Sequence, residues 1–121
     1  MKNSGFAESF RNAWEGIRHT VNHERNFKIH IVMAIAAVLC CIVFQVETVL
    51  FVWVVFAIFT VLVTELINTS IEALTDLFCG NKPHPLAKIA KDAAAAAVLL
   101  AAVQAAAVAA VVAVAVVSRW F

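Results

Sequence analysis

Three apolar runs organise the chain. Ile31 to Phe44 is fourteen residues without a polar interruption, Val49 to Val63 is broken only by Thr60, and Ala93 to Val117 only by Gln104. A helix needs about 20 residues to cross the hydrocarbon core of a bilayer. The third run is long enough alone. The first two reach that length by drawing in neighbours, so the expected spans cover 29–46, 48–67 and 93–117. The linker around Gln45–Thr48 is very short, and the first two spans read as a tight transmembrane hairpin.

The polar segments have patterns of their own. Phe6, Phe10, Trp14, Ile17 and Val21 recur at helical spacing, with Glu8, Arg11, Asn12, Glu15 and Arg18 on the other side. This predicts an amphipathic helix over about 5–26, lying on a membrane surface with its aromatics inward. The second span is expected to continue as a cytoplasmic helix to about residue 79, where GNKPHP ends it. Gly80 suits a left-handed cap there, and two prolines prevent continuation. A helix restarting near Pro85 or Leu86 would carry Lys88, Lys91 and Asp92 into the third span.

Composition agrees with membrane insertion. Of 121 residues, 64% are hydrophobic and 14% charged, more apolar surface than a soluble fold this small can bury. The fold class expected is an all-α integral membrane protein, one domain over 1–121. A net charge of +1 gives no basic field for nucleic acid. Cys40, Cys41 and Cys79 read as free thiols. Met1 to Lys28 is polar and of mixed charge, so the first span is expected to serve as its own targeting signal. Orientation follows from the basic residues: Lys2, Arg11, Arg18, Arg25, Lys28, Lys82, Lys88 and Lys91 fall on one side, and Arg119 on the other. The positive-inside rule then places the N-terminus in the cytoplasm and the C-terminus outside.

One stretch has chemistry out of place. ELINTSIEALTD, Glu65 to Asp76, begins where the second apolar run ends. At about 100° per residue, Glu65, Asn68, Thr69, Glu72 and Asp76 share one helical face. Charge at membrane depth costs a few kcal/mol on insertion scales, so this face should meet protein or a wet cavity. Glu24 and Lys28, and Lys88, Lys91 and Asp92, lie at the same boundary. A three-helix bundle could gather them into one polar layer. Converging carboxylates suit Mg²⁺ and the phosphates it accompanies, with lysines neutralising charge. The same layer could equally anchor head groups or hold together a non-enzymatic helper subunit. There is no glycine-rich phosphate loop, and His19, His23, His30 and His84 lack zinc spacing and read as interfacial or loop residues.

ELINTSIEALTD resembles the signature E-x-x-N-[ST]-[AS]-I-E-x-x-x-D of the small prokaryotic diacylglycerol kinases. Asn22 to Asn26 (NHERN) with Lys28 and His30, and His84 to Asp92 (HPLAKIAKD), agree in order and spacing and are similar to the undecaprenol kinase branch of Gram-positive bacteria. The resemblance implies a homotrimer of three-span subunits in the bacterial plasma membrane, with active sites shared between neighbours at the cytoplasmic interface. It implies transfer of the γ-phosphate of ATP, with Mg²⁺, to a lipid alcohol: undecaprenol, with diacylglycerol as the alternative. By the same resemblance Glu65 is the catalytic base, and Glu24 and Glu72 hold the metal. Asn68, Asp76, Lys91 and Asp92 join Glu24 and Glu72 at the nucleotide, bordered by Lys82, Pro83 and His84. Trp14 and Lys28 join Glu65 at the lipid. The GNKPHP loop departs from the family pattern, as does the plain alanine run after Asp92.

Overall fold

The computed structural model describes residues 5–121, so Lys2, counted above for orientation, lies outside the described residues. Four helices follow one another: α1 (Phe6–His23), α2 (Arg25–Val43), α3 (Thr48–Cys79) and α4 (Pro85–Trp120). The last three are long and apolar enough to cross a membrane. At 1.5 Å per residue α3 is about 48 Å long and α4 about 54 Å, well beyond a hydrocarbon core of about 30 Å. Their polar ends must therefore project from the bilayer or lie in its head-group layer.

α3 is the central element, packed against α4 along most of its length and against α2 and α1 elsewhere. Its buried residues Val54, Ala57, Val61 and Glu65 follow helical spacing and make one inward stripe. Cys41 of α2 and Ala101 of α4 are buried as well, and small side chains such as Ala57 and Ala101 let helices approach closely. Most large apolar residues on the outside, Val32, Phe56, Phe59 and Leu100 among them, are exposed, as suits a bundle whose solvent is lipid. α2 and α4 do not pack on each other.

The expected surface helix ends early. α1 stops at His23, and Glu24 is extended; it caps both helices, and its carbonyl accepts from Lys28 N–H at 3.3 Å, one helical turn on. No glycine or proline marks this break. Its physical reason is packing: Thr20 and Phe27 are buried on either side of it, and a continuous helix is replaced by a bend that turns both inward. Phe6, Phe10 and Trp14 remain exposed.

The α2–α3 turn is a Schellman motif. Val46 N–H donates to the Cys41 carbonyl at 3.0 Å and Gln45 N–H to that of Ile42 at 3.2 Å. Gln45 occupies the positive-φ position, at 51°. Arg119 Nη1 donates to the Gln45 carbonyl at 2.6 Å and Trp120 Nε1 to that of Phe44 at 3.2 Å, tying the end of α4 across the turn. At the other end of α3, Gly80 has φ 57° and ψ −131°, a conformation reserved for glycine. Pro85 then opens α4, capped by His84, whose Nδ1 accepts from Leu86 N–H at 3.1 Å.

Candidate active site

A strip of polar side chains runs down one face of α3, at Glu65, Asn68, Glu72 and Asp76. Eleven residues of helix make it about 16 Å long. Its partners change along the way. Glu65 is 5% exposed, and its Oε1 lies 3.3 Å from Nε2 of His30 on α2. Asn68 Nδ2 donates to Glu72 Oε1 at 3.1 Å. Asp76 Oδ1 lies 2.7 Å from Lys91 Nζ, on α4. Lys88 closes the series by pairing with Asp92 one turn along its own helix.

One acceptor in this strip is unmatched. The Asn68 carbonyl oxygen is buried and has no hydrogen-bond partner. Buried polar atoms are rarely left so, and those that are often sit where something else binds. The nearby hydroxyls do not fill the gap: Thr64 donates to the Thr60 and Val61 carbonyls, Ser70 to that of Leu66 and Thr75 to that of Glu72.

Charges at the open end are mutually held. The hydrogen bond that Lys91 donates to Asp76 raises its ammonium above the ordinary lysine range, and the hydrogen bond to Asp92 and that residue's charge do the same for Lys88. Both lysines stay cationic throughout the neutral range and can neutralise an added anion.

Above the strip lies a groove of about 650 Å³ between α2 and α4, floored by α3. His30 stands at one end and Phe44, Val117 and Phe121 at the other, and alanines such as Ala34, Ala57 and Ala105 line the length between. It exists because α2 and α4 do not meet and small side chains leave the gap unfilled. A smaller hollow of about 410 Å³ is formed where α3 turns into α4, lined by Thr75, Phe78, Cys79 and His84.

Several expected site residues do not join the strip within one chain. Among the described residues of the single chain no three His, Cys, Asp or Glu side chains cluster as metal ligands. Along α3, Glu65 and Glu72 are about two turns apart and Glu72 and Asp76 about one, and Glu24 is the N-cap residue of α2. Trp14, Lys28, Lys82 and Pro83 are exposed. His30, read from sequence as an interfacial residue, faces the buried acid. A signal for it existed, since a carboxylate at that depth demands a polar partner and His30 immediately precedes the facing apolar run.

The buried acid and the unmatched amide lie on α3, in the stretch with the most distinctive sequence, and Lys91 of α4 pairs with Asp76 at its end. The family model for prokaryotic diacylglycerol kinase matches residues 11–113, which includes all of it. The chain belongs to the prokaryotic diacylglycerol kinase family. It is 41% identical over 93 residues to an undecaprenol kinase of Bacillus subtilis, covering 77% of this chain and 75% of that one. It is 40% identical over 92 residues to a diacylglycerol kinase of Synechocystis, covering 76% of this chain and 53% of the relative. The chain thus spans about half the length of that cyanobacterial protein. A diacylglycerol kinase of Escherichia coli K12 is 31% identical over 88 residues, 73% of this chain and 71% of that one. Relatives named for undecaprenol and for diacylglycerol are therefore about equally similar to this chain.

Proposed function

We propose that this protein is an ATP-dependent lipid kinase that phosphorylates a membrane lipid alcohol at the cytoplasmic face, with undecaprenol as its acceptor and diacylglycerol as the alternative. The observation that carries the reading is the burial of Glu65 against His30, whose ring stands at the head of an apolar groove. A lipid alcohol has the matching shape, one polar end on a long apolar tail.

In this reading the tail lies in the groove and the hydroxyl meets Glu65. The hydroxyl oxygen attacks the γ-phosphorus of ATP while Glu65 takes its proton. The new O–P bond forms as the bond from phosphorus to the β–γ bridging oxygen breaks, ADP leaves, and Glu65 passes the proton to water. General base catalysis of this kind contributes roughly 10²–10⁴-fold. Much of the remaining rate acceleration would come from positioning and charge neutralisation.

The nucleotide belongs at the Glu72–Asp92 end. Lys91 and Lys88 neutralise phosphate oxygens there by exchanging their carboxylate partners, and the hollow bounded by His84 receives the rest. Glu72, the Asn68 carbonyl oxygen and Glu24 are hard oxygen donors of the kind Mg²⁺ prefers. The thinness of this set is no obstacle, since Mg²⁺ is commonly held by one or two carboxylates plus phosphates and water. Bound there, the ion would neutralise phosphate charge. The scattered acids of a single chain also support a shared site, with Glu24, Trp14 and Lys28 brought in across a homotrimer. The exposed aromatics of α1 fit a helix lying on the inner leaflet.

The test is transfer of labelled γ-phosphate by purified protein in lipid, with undecaprenol and diacylglycerol supplied side by side. Phosphorylation of undecaprenol in preference supports the full reading. Equal or greater labelling of diacylglycerol moves it to the alternative, and no transfer to either overturns it.

A further inference from the structure

Glu65 has a problem that its own helix does not solve. Its carboxylate is almost wholly buried, and burying a charge without a polar partner is costly. The two polar neighbours on α3 are engaged elsewhere. Thr64 donates to carbonyls of the preceding turn, and the Asn68 amide donates to Glu72. The partner comes from another helix, as His30 Nε2 at 3.3 Å.

We propose that His30 is a positioning residue for Glu65. This inference rests on the reading of Glu65 as the base. A carboxylate offers only acceptors, so a neutral imidazole facing it carries its hydrogen on Nε2. The contact is to Oε1, which leaves Oε2 with open lone pairs to receive the hydroxyl proton. Because His30 is carried by α2, the contact fixes the carboxylate relative to the groove wall rather than only to its own helix. His30 also lines the head of the groove together with Met33 and Ala34. The ring thus borders both the apolar channel and the acid, where the polar end of a lipid in the groove must arrive. Misplacement of a reacting group by about 1 Å can cost on the order of a hundredfold in rate.

The experiment measures kcat, and KM for both the lipid alcohol and MgATP, in His30→Leu and His30→Gln, with Glu65→Gln alongside. Leucine fills the space without a donor, whereas glutamine keeps a donor near the same place. The expected result is a fall in kcat of roughly tenfold to a hundredfold in His30→Leu, with KM for MgATP unchanged and kcat largely recovered in His30→Gln. Three results overturn the proposal: kcat unchanged in His30→Leu, a change confined to KM for the lipid, or His30→Gln no better than His30→Leu. Should His30→Leu fail to fold, the same comparison between His30→Gln and His30→Ala decides. Glu65→Gln separates the two claims. If it retains transfer, the base assignment and this inference fall together. If it loses transfer while the His30 variants are unaffected, this inference falls alone.

Discussion

The two ends of the bundle solve the same problem in opposite ways. At the α2–α3 turn the polar side chains Arg119 and Trp120 are bound to backbone carbonyls, and the turn's own amides complete a Schellman motif. At the far end of α3, side chains meet side chains, an amide oxygen is unmatched, and lysines are held only by exposed carboxylates. Backbone carbonyls are fixed partners and make a fastening. Side-chain partners can be exchanged for a ligand's groups. The difference assigns one end to holding the bundle and the other to binding, and each assignment can be broken separately.

The largest effect is expected from Glu65→Gln. The amide is nearly isosteric and accepts no proton, so phosphotransfer should fall by roughly 10²–10⁴-fold, with helix content and assembly in detergent preserved. Retained transfer would remove the chemistry from this end. Next comes Glu72→Gln, which keeps a partner for Asn68 but weakens a hard-cation donor. The Mg²⁺ concentration for half-maximal transfer should rise about tenfold, on the scale of about 1.4 kcal/mol. An unchanged Mg²⁺ requirement would show that the unmatched amide and its neighbour serve packing instead.

Much of this arrangement was legible beforehand. The apolar runs gave three long helices, because insertion into lipid demands sustained apolar length and little else matches that signature. Gly80 and the prolines gave the α3–α4 turn, since few residues tolerate its backbone. The common face of Glu65, Asn68, Glu72 and Asp76 followed from helical spacing alone. What was not legible depends on contacts between elements. Periodicity continues smoothly past Glu24, and only the burial of Thr20 and Phe27 bends the chain there. The partners of His30 and Lys91 lie 35 and 15 residues away, so helical spacing alone does not pair them. The groove was hidden for a different reason: it is a gap left by alanines, and sequence reports side chains rather than the spaces between them.

At the fastened end, effects should appear in stability and leave chemistry alone. Arg119→Ala removes a hydrogen bond that ties α4 to the turn, and a loss of about 1 kcal/mol is expected. Thermal unfolding in detergent should occur at lower temperature, with kcat within about twofold of the parent. A large fall in kcat would mean that the two ends are coupled, and the division between fastening and binding would fail.

The smallest effect is expected at Gln45, and its sign is the informative part. A side chain at φ 51° carries a left-handed backbone cost of roughly 1–2 kcal/mol. Glycine removes that cost but gives the unfolded chain more freedom, worth roughly 0.5–1 kcal/mol against folding. The balance predicts that Gln45→Gly stabilises the protein by less than about 1 kcal/mol, because the Gln45 contact to Arg119 uses its backbone carbonyl and survives the change. The measurement is again thermal unfolding in detergent, now with an upward shift. A downward shift would mean that the glutamine side chain itself helps to fasten this end. Combining Gln45→Gly with Arg119→Ala then sharpens the point: if each acts only on the turn's backbone, their opposed effects should nearly cancel in stability while kcat at the far end does not move.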